Sequence, residues 1–262
     1  MSGLAHIWFD VDGTLYRQNE ELEARIFNSM FNTVSKLLKI TLGETTDLYE
    51  VLYKQTESHT KTFERLGLPA DAARKAYNHT NIADYVEEDS RLMRMFDFFA
   101  SLEIPCSIYS NNYSSTVDAV VAKLGIEKNG KRILFKIPGE FFPKGSDETF
   151  YVKSADVSLE TDTTKVEPEN ASKETDTTKV KSVSGFKRII ELSNTEAGRI
   201  LKPEEILFVG DREKMDIRPA KKYGFRAARV LWTPEVDFMK SDADYKLADI
   251  YQLSSIVESL AR

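Results

Sequence analysis

Cysteine, excess positive charge and long apolar runs are what this chain has least of. Its single cysteine, Cys106, excludes an internal disulfide framework and suits a reducing compartment. Flanked by Ile104, Ile108 and Tyr109, that thiol reads as part of a buried strand. A formal net charge of -6 argues against coating a nucleic-acid polymer, whose usual footprint is a basic patch. No apolar run approaches the roughly 18 to 20 residues a bilayer span needs. The first residues offer neither the basic segment nor the apolar core of a secretory signal. The expectation is a cytoplasmic protein with no membrane partner.

The residues that are present are ordinary in amount and unusual in arrangement. The 262 residues, 41% hydrophobic and 30% charged, suffice for one large domain or for a core with a smaller companion. The stretch around which the rest is organised is Phe9-Asp10-Val11-Asp12-Gly13-Thr14-Leu15-Tyr16. Ala5 to Phe9 ahead of it is apolar and β-leaning, short enough for a buried strand. At the end of such a strand residues i and i+2 point the same way, so Asp10 and Asp12 flank one small volume. Two carboxylates that close repel unless a cation or a shared proton compensates. Gly13 supplies the tight turn. The plain alternative is a turn whose aspartates only cap the next segment of chain.

Beyond Tyr16 the apolar period becomes helical. Leu22, Ile26 and Met30 form one stripe and Phe27, Phe31, Val34 and Leu38 a second, giving a face wide enough to pack on more than one helix. Further helices are expected over Thr45 to Arg65, from Pro69 to about Tyr77, and over Asp89 to Leu102. Gly67-Leu68-Pro69 ends the first of these. Helix-rich sequence thus separates the first strand from the second, Ile104 to Tyr109. Ser110-Asn111-Asn112 comes after that strand, and a helix opens at Ser114 and closes at Gly125. A hydroxyl at a strand end before free helix N–H groups is a natural anion site. Ser110 and Asn112 could equally only shape the turn.

Ile133 to Ile137 reads as a third strand. From 138 to 182 the sequence turns polar, and Glu160 to Val166 recurs as Glu174 to Val180. That composition points to a disordered or exposed hairpin-like insertion. A helix is expected over Val183 to Ile200, then strand Ile206 to Val209 ending in Gly210-Asp211. Beyond it come a helix from Pro219 to Tyr223, strands at Ala227 to Leu231 and Tyr245 to Ala248, and a closing helix over Leu253 to Leu260. Strands alternating with helices argue for an α/β fold with a parallel sheet.

Asp10-x-Asp12-Gly13-Thr14 after an apolar strand resembles the first signature motif of the haloacid dehalogenase (HAD) superfamily. Ser110 sits where that family keeps a second-motif Ser or Thr, and Gly210-Asp211-(four residues)-Asp216 resembles its fourth motif. The resemblance implies a Rossmann-like core from 1–16 and 104–262, with a helical C1 cap over 17–103 that selects substrate. It implies a phosphatase in which Asp10 attacks phosphorus and Asp12 handles the leaving-group proton. A magnesium ion would be held by the Asp10 and Asp211 carboxylates and the Asp12 carbonyl, with Asp216 direct or through water, in line with the oxygen preference of Mg2+. The alternative for Asp216 is a helix N-cap. Ser110, the backbone near Asn111 and a lysine would hold the phosphate. Lys181 fits the third motif best, although Ser182 stands where a proline commonly comes next; Lys153 and Lys187 are its rivals. Thr14-Leu15-Tyr16, His79, Ile82, Tyr85, Asp89 and Leu92 look most like the pyrimidine 5′-nucleotidase-like branch, His79 itself reading as a surface residue.

The expected substrate is a small phosphorylated metabolite, such as a nucleoside monophosphate or a sugar phosphate. A 2-haloacid dehalogenase on the same fold is disfavoured by Asp12, since those enzymes resemble D-x-Y here. A phosphomutase and a non-catalytic binding protein are the remaining readings.

Overall fold

The computed structural model describes residues 3–128, 130–139, 144, 185–232 and 240–261. The polar repeat and its expected hairpin lie outside them. Six strands form one sheet: β1 (His6–Phe9), β2 (Cys106–Tyr109), β3 (Ile133–Ile137), β4 (Ile206–Gly210), β5 (Arg226–Val230) and β6 (Tyr245–Leu247). Their order is β3-β2-β1-β4-β5-β6, and every described pairing is parallel. Parallel strands need crossovers, and helices on both faces bury them, which is why β1, β2 and β4 are buried at every position. The α/β reading of the sequence and its Rossmann-like sheet are what the chain adopts.

Nine α-helices are described: α1 (Glu20–Leu38), α2 (Leu42–Thr56), α3 (His59–Arg65), α4 (Ala70–Asn78), α5 (Ser90–Ser101), α6 (Ser114–Leu124), α7 (Gly185–Ala197), α8 (Arg218–Lys222) and α9 (Leu253–Ala261). One face of the sheet packs Phe9, Ile108 and Val209 with α5, α6 and α9. Phe96 of α5 meets Phe9 with ring centroids 5.2 Å apart. The other face packs Trp8, Tyr109 and Phe208 with Phe186 and Ile189 of α7 and Ala220 of α8. Cys106 is buried as expected, and burial pushes its thiol pKa up.

Helices α1 to α4 pack on one another, as the twin apolar stripes of α1 require. Leu22, Ile26, Met30, Phe31 and Val34 are buried, and Asn19 caps the helix by accepting from Leu22 N–H at 2.8 Å. The single helix expected over Thr45 to Arg65 is in fact two. Glu57 takes a left-handed φ of 52° that stops α2, and Ser58 restarts the chain as N-cap of α3, accepting from Lys61 N–H. The break has a use: it turns Ser58, His59 and Thr60 toward the sheet. No helix among the described residues is long and apolar enough to cross a membrane.

Candidate active site

Strand order reverses at β1, with β2 and β3 laid down on one side and β4 to β6 on the other. In open α/β sheets the crevice beyond the C-terminal strand ends at such a point is where ligands bind. Asp10 comes directly after β1, Ser110 after β2, Lys144 beyond β3 and Asp211 after β4. One short chain segment from each of four strands therefore converges on one volume.

Asp10 is 7% exposed. Asp10, Asp211 and Asp216 each offer a carboxylate oxygen, and these oxygens all lie within 4.8 Å of one another. Asp10 is far from the other two in sequence but adjacent here, because β1 and β4 are paired in register from His6–Ile206 to Phe9–Val209. Two glycines make the approach possible. A Cβ on Gly13, whose φ is +72°, would fall 2.5 Å from Asp211 Oδ2, and one on Gly210 would fall 2.5 Å from Asp216 Cβ. Asp216 is not a helix N-cap. It sits in a wide π turn over Glu213–Ile217, accepts from Arg212 N–H at 3.0 Å and is 1% exposed.

Lys144 supplies the local countercharge. Its Nζ donates to Asp10 Oδ1 at 2.5 Å and to Asp216 Oδ1 at 2.7 Å, with a side chain only 2% exposed. Its backbone N–H donates to Asn111 Oδ1 at 2.7 Å, so the loop after β2 holds Lys144 in place. One ammonium cannot neutralise three carboxylates. Burial, reinforced by the charges of Asp216 and Asp12, pushes the Asp10 pKa up to about 7 against the pull of Lys144. Burial likewise raises Asp211 well above the usual carboxylate range, against the nearby Arg212. Burial would lower Lys144, but the two aspartates outweigh it and raise the lysine.

These residues fit a divalent cation. Asp211 Oδ1 is buried with no hydrogen-bond partner among the described residues, and a buried unpaired carboxylate oxygen is costly unless a cation takes it. The donor set is all oxygen, as Mg2+ prefers.

Asp12 is held differently from Asp10. Tyr16 OH donates to its Oδ1 at 2.6 Å and Asn112 Nδ2 to its Oδ2 at 2.6 Å. Burial raises its pKa, opposed first by the Tyr16 hydrogen bond and then by the charge of Arg212. A carboxyl whose pKa is raised is equipped to give and take a proton. Ser110 is fully buried, its Oγ accepting from Asn112 N–H at 3.1 Å. A cleft lined by Asp10, Asp12, Asn111, Asn112, Lys144 and Asp216 on the sheet side is walled on the other by residues of α3 and α4.

The family model for haloacid dehalogenase-like hydrolases matches residues 4–224. The chain belongs to the haloacid dehalogenase-like hydrolases. Among solved structures it resembles a HAD phosphatase from Thermococcus onnurineus, at 14% identity over 97% of this chain and 98% of that one, with a TM-score of 0.54. It also resembles a HAD family hydrolase from Deinococcus radiodurans R1 with bound phosphate and sodium, at 12% identity over 100% and 98%, TM-score 0.52. At such identities the likeness is one of fold. No curated protein matched in sequence.

Of the site residues expected for a HAD hydrolase from sequence, Asp10, Asp12, Ser110, Asn111, Asp211 and Asp216 come together around the switch point. Lys181 and its rival Lys153 lie outside the described residues, and Lys187 is on α7, in its first turn. The lysine found against Asp10 is Lys144, which sequence reasoning missed. Its signal was position: Lys144 comes seven residues after the end of strand β3, and chain that follows a strand's C-terminal end is where this fold collects its ligands. Arg212, His59 and Arg74, which also line the cleft, were likewise not singled out.

Proposed function

We propose that this chain is a Mg2+-dependent phosphomonoester hydrolase working through an aspartyl-phosphate, with a small phosphorylated metabolite as substrate. The observation that carries this reading is the juxtaposition of Asp10, Asp211 and Asp216 beside an Asp12 that is separately oriented by Tyr16 and Asn112. Asp10, Asp211 and Asp216, with the Asp12 carbonyl, would hold the ion. When bound, it supplies charge compensation between the nucleophilic carboxylate and a phosphate dianion.

In the first half-reaction a carboxylate oxygen of Asp10 attacks phosphorus in line, forming an acyl-phosphate bond as the ester P–O bond breaks. Asp12 gives its proton to the departing alkoxide. In the second, Asp12 takes a proton from water as the water oxygen bonds to phosphorus. The Asp10–phosphorus bond then breaks, releasing inorganic phosphate and restoring both aspartates. Lys144 orients Asp10 and adds positive charge beside the phosphoryl oxygens, in a reaction where positioning and charge do most of the work. Helices within 17–103 act as the substrate-selecting cap, α3 and α4 forming its inner wall.

The assay is phosphate release from an aryl phosphate with Mg2+ present. Activity is expected to vanish with EDTA, return on adding Mg2+, and fall by about 1,000-fold or more in Asp10→Asn with the circular dichroism spectrum unchanged. Metal-independent turnover, or an active Asp10→Asn, would overturn the reading. Transfer of the phosphoryl group to a second position on the product, in place of phosphate release, would favour a mutase.

A further inference from the structure

The cleft that holds Asp10 and Asp12 extends to a wall formed by His59, Arg74, Tyr77 and Asn78. Arg74 is the cation of that wall; its side chain is hydrogen-bonded to Tyr113 but has no carboxylate within hydrogen-bond range among the described residues. Its Nε is buried with no hydrogen-bond partner among the described residues. The carboxylate near it, Asp71, lies 3.7 Å from Nη2, beyond hydrogen-bond range. That carboxylate is already engaged by Lys75 Nζ at 2.8 Å and by Tyr113 OH at 2.7 Å. Two cations thus share one carboxylate. Lys75 is 67% exposed and keeps its charge in water, whereas Arg74 is 16% exposed and faces the cleft.

The other two cations of the cleft stand beside the carboxylates of the acidic cluster. Lys144 is bound by Asp10 and Asp216. Arg212 lies 3.9 Å from Asp211 Oδ2 and donates to the Glu57 carbonyl at 3.4 Å. His59, on the same wall as Arg74, is a neutral group. Burial, with Arg212 adding to it, pushes its pKa down to about 3, and its Nδ1 is paired with Tyr49 OH at 2.7 Å.

We propose that Arg74, with His59 on the same wall, recognises a second anionic group on the departing part of the substrate. The preferred phosphomonoesters then carry a carboxylate or a second phosphate in addition to the group that is cleaved. A guanidinium binds either oxyanion through paired N–H donors, and the attraction strengthens when the cleft is cleared of water. This inference deepens the phosphatase reading and rests on it.

The test compares pairs of phosphomonoesters with one carbon skeleton, one member bearing a free carboxylate and the other its methyl ester, with nucleoside monophosphates as further substrates whose leaving group is neutral. The wild-type protein should favour the acid by about 10-fold or more in kcat/KM, as expected when a charge-assisted hydrogen bond is lost. Arg74→Met should raise KM for the acid by about 10-fold, leave the ester within about 2-fold and abolish the preference, and Arg74→Lys should recover part of it. A wild-type protein indifferent to the carboxylate would overturn the proposal. So would an Arg74→Met that loses both substrates equally, because the arginine would then be serving the cleaved phosphate or the packing of α4. A second arm separates failure here from failure of the phosphatase reading. Calorimetric titration with phosphonoacetate and with ethylphosphonate, in Mg2+, needs no turnover. Tighter binding of phosphonoacetate that disappears in Arg74→Met supports the subsite, and equal binding of the two by the wild type overturns it.

Discussion

Two aspartates two positions apart have been given opposite surroundings. Asp10 is set against a lysine and two other carboxylates, whereas Asp12 is gripped at both oxygens by neutral donors. Each donor lowers the Asp12 pKa, so removing one should raise it. Asn112→Ala is therefore expected to move the alkaline limb of the pH–rate profile upward and to lower kcat by about 10- to 100-fold, within the range for general acid–base catalysis. A limb that stays in place would remove Asp12 from the proton-transfer role. Asp10, Asp12 and Asp211 were legible in sequence because each stands at the end of an apolar strand in a short local pattern. Lys144 was not, because its contact with Asp10 spans 134 positions and no periodicity announces it. Arg74 was hidden for a similar reason: it is one of several charged residues on a short helix, and only packing decides which of them faces inward.

At the level of elements, the strands were the easiest to read. A parallel strand buried on both faces is a continuous apolar run, and β1, β2 and β4 are close to that pattern. Helix positions came from apolar period and caps, with Gly125 closing α6 as expected at φ +76°. The division of α2 from α3 escaped because it depends on a glutamate in a left-handed conformation, where no glycine marks the stop. Ser58, the cap that restarts the chain, was the available cue. The turn between β4 and α8 is the element most sensitive to a small change. Gly210→Ala would drive a methyl group onto Asp216, and overpacking of that kind costs about 1–3 kcal/mol. Its denaturation midpoint should fall accordingly, and its apparent Mg2+ affinity should fall with it. An alanine variant as stable and as avid as the wild type would mean that the turn yields freely.

For the molecule as a whole, collecting buried carboxylates in one place ties stability to pH and to metal. The Asp10 carboxyl moves from its ordinary 3.8 to about 7 on folding, so the folded state binds its proton more tightly than the unfolded chain. That contribution is complete below 3.8 and is lost as the pH rises through about 7. Asp211 shifts in the same direction. The metal-free protein should accordingly melt at a lower temperature at pH 8 than at pH 5. A cation that binds only the folded, deprotonated site should restore more at pH 8, by about 2.7 kcal/mol at a hundred times its dissociation constant. Thermal melts at the two pH values, with EDTA and with Mg2+, check both signs, and a metal response larger at pH 5 would contradict them.

The loop that carries Asp12 is also tied to the chain beyond β5. Trp232 donates its indole N–H to the Gly13 carbonyl at 3.0 Å, and the only other tryptophan, Trp8, is fully buried in β1. The protein thus carries a built-in optical reporter at the turn that follows Asp12. With Trp8 replaced by phenylalanine, the emission that remains would come from the one indole bonded to that turn, and ion or phosphate binding could be followed by fluorescence without any attached dye.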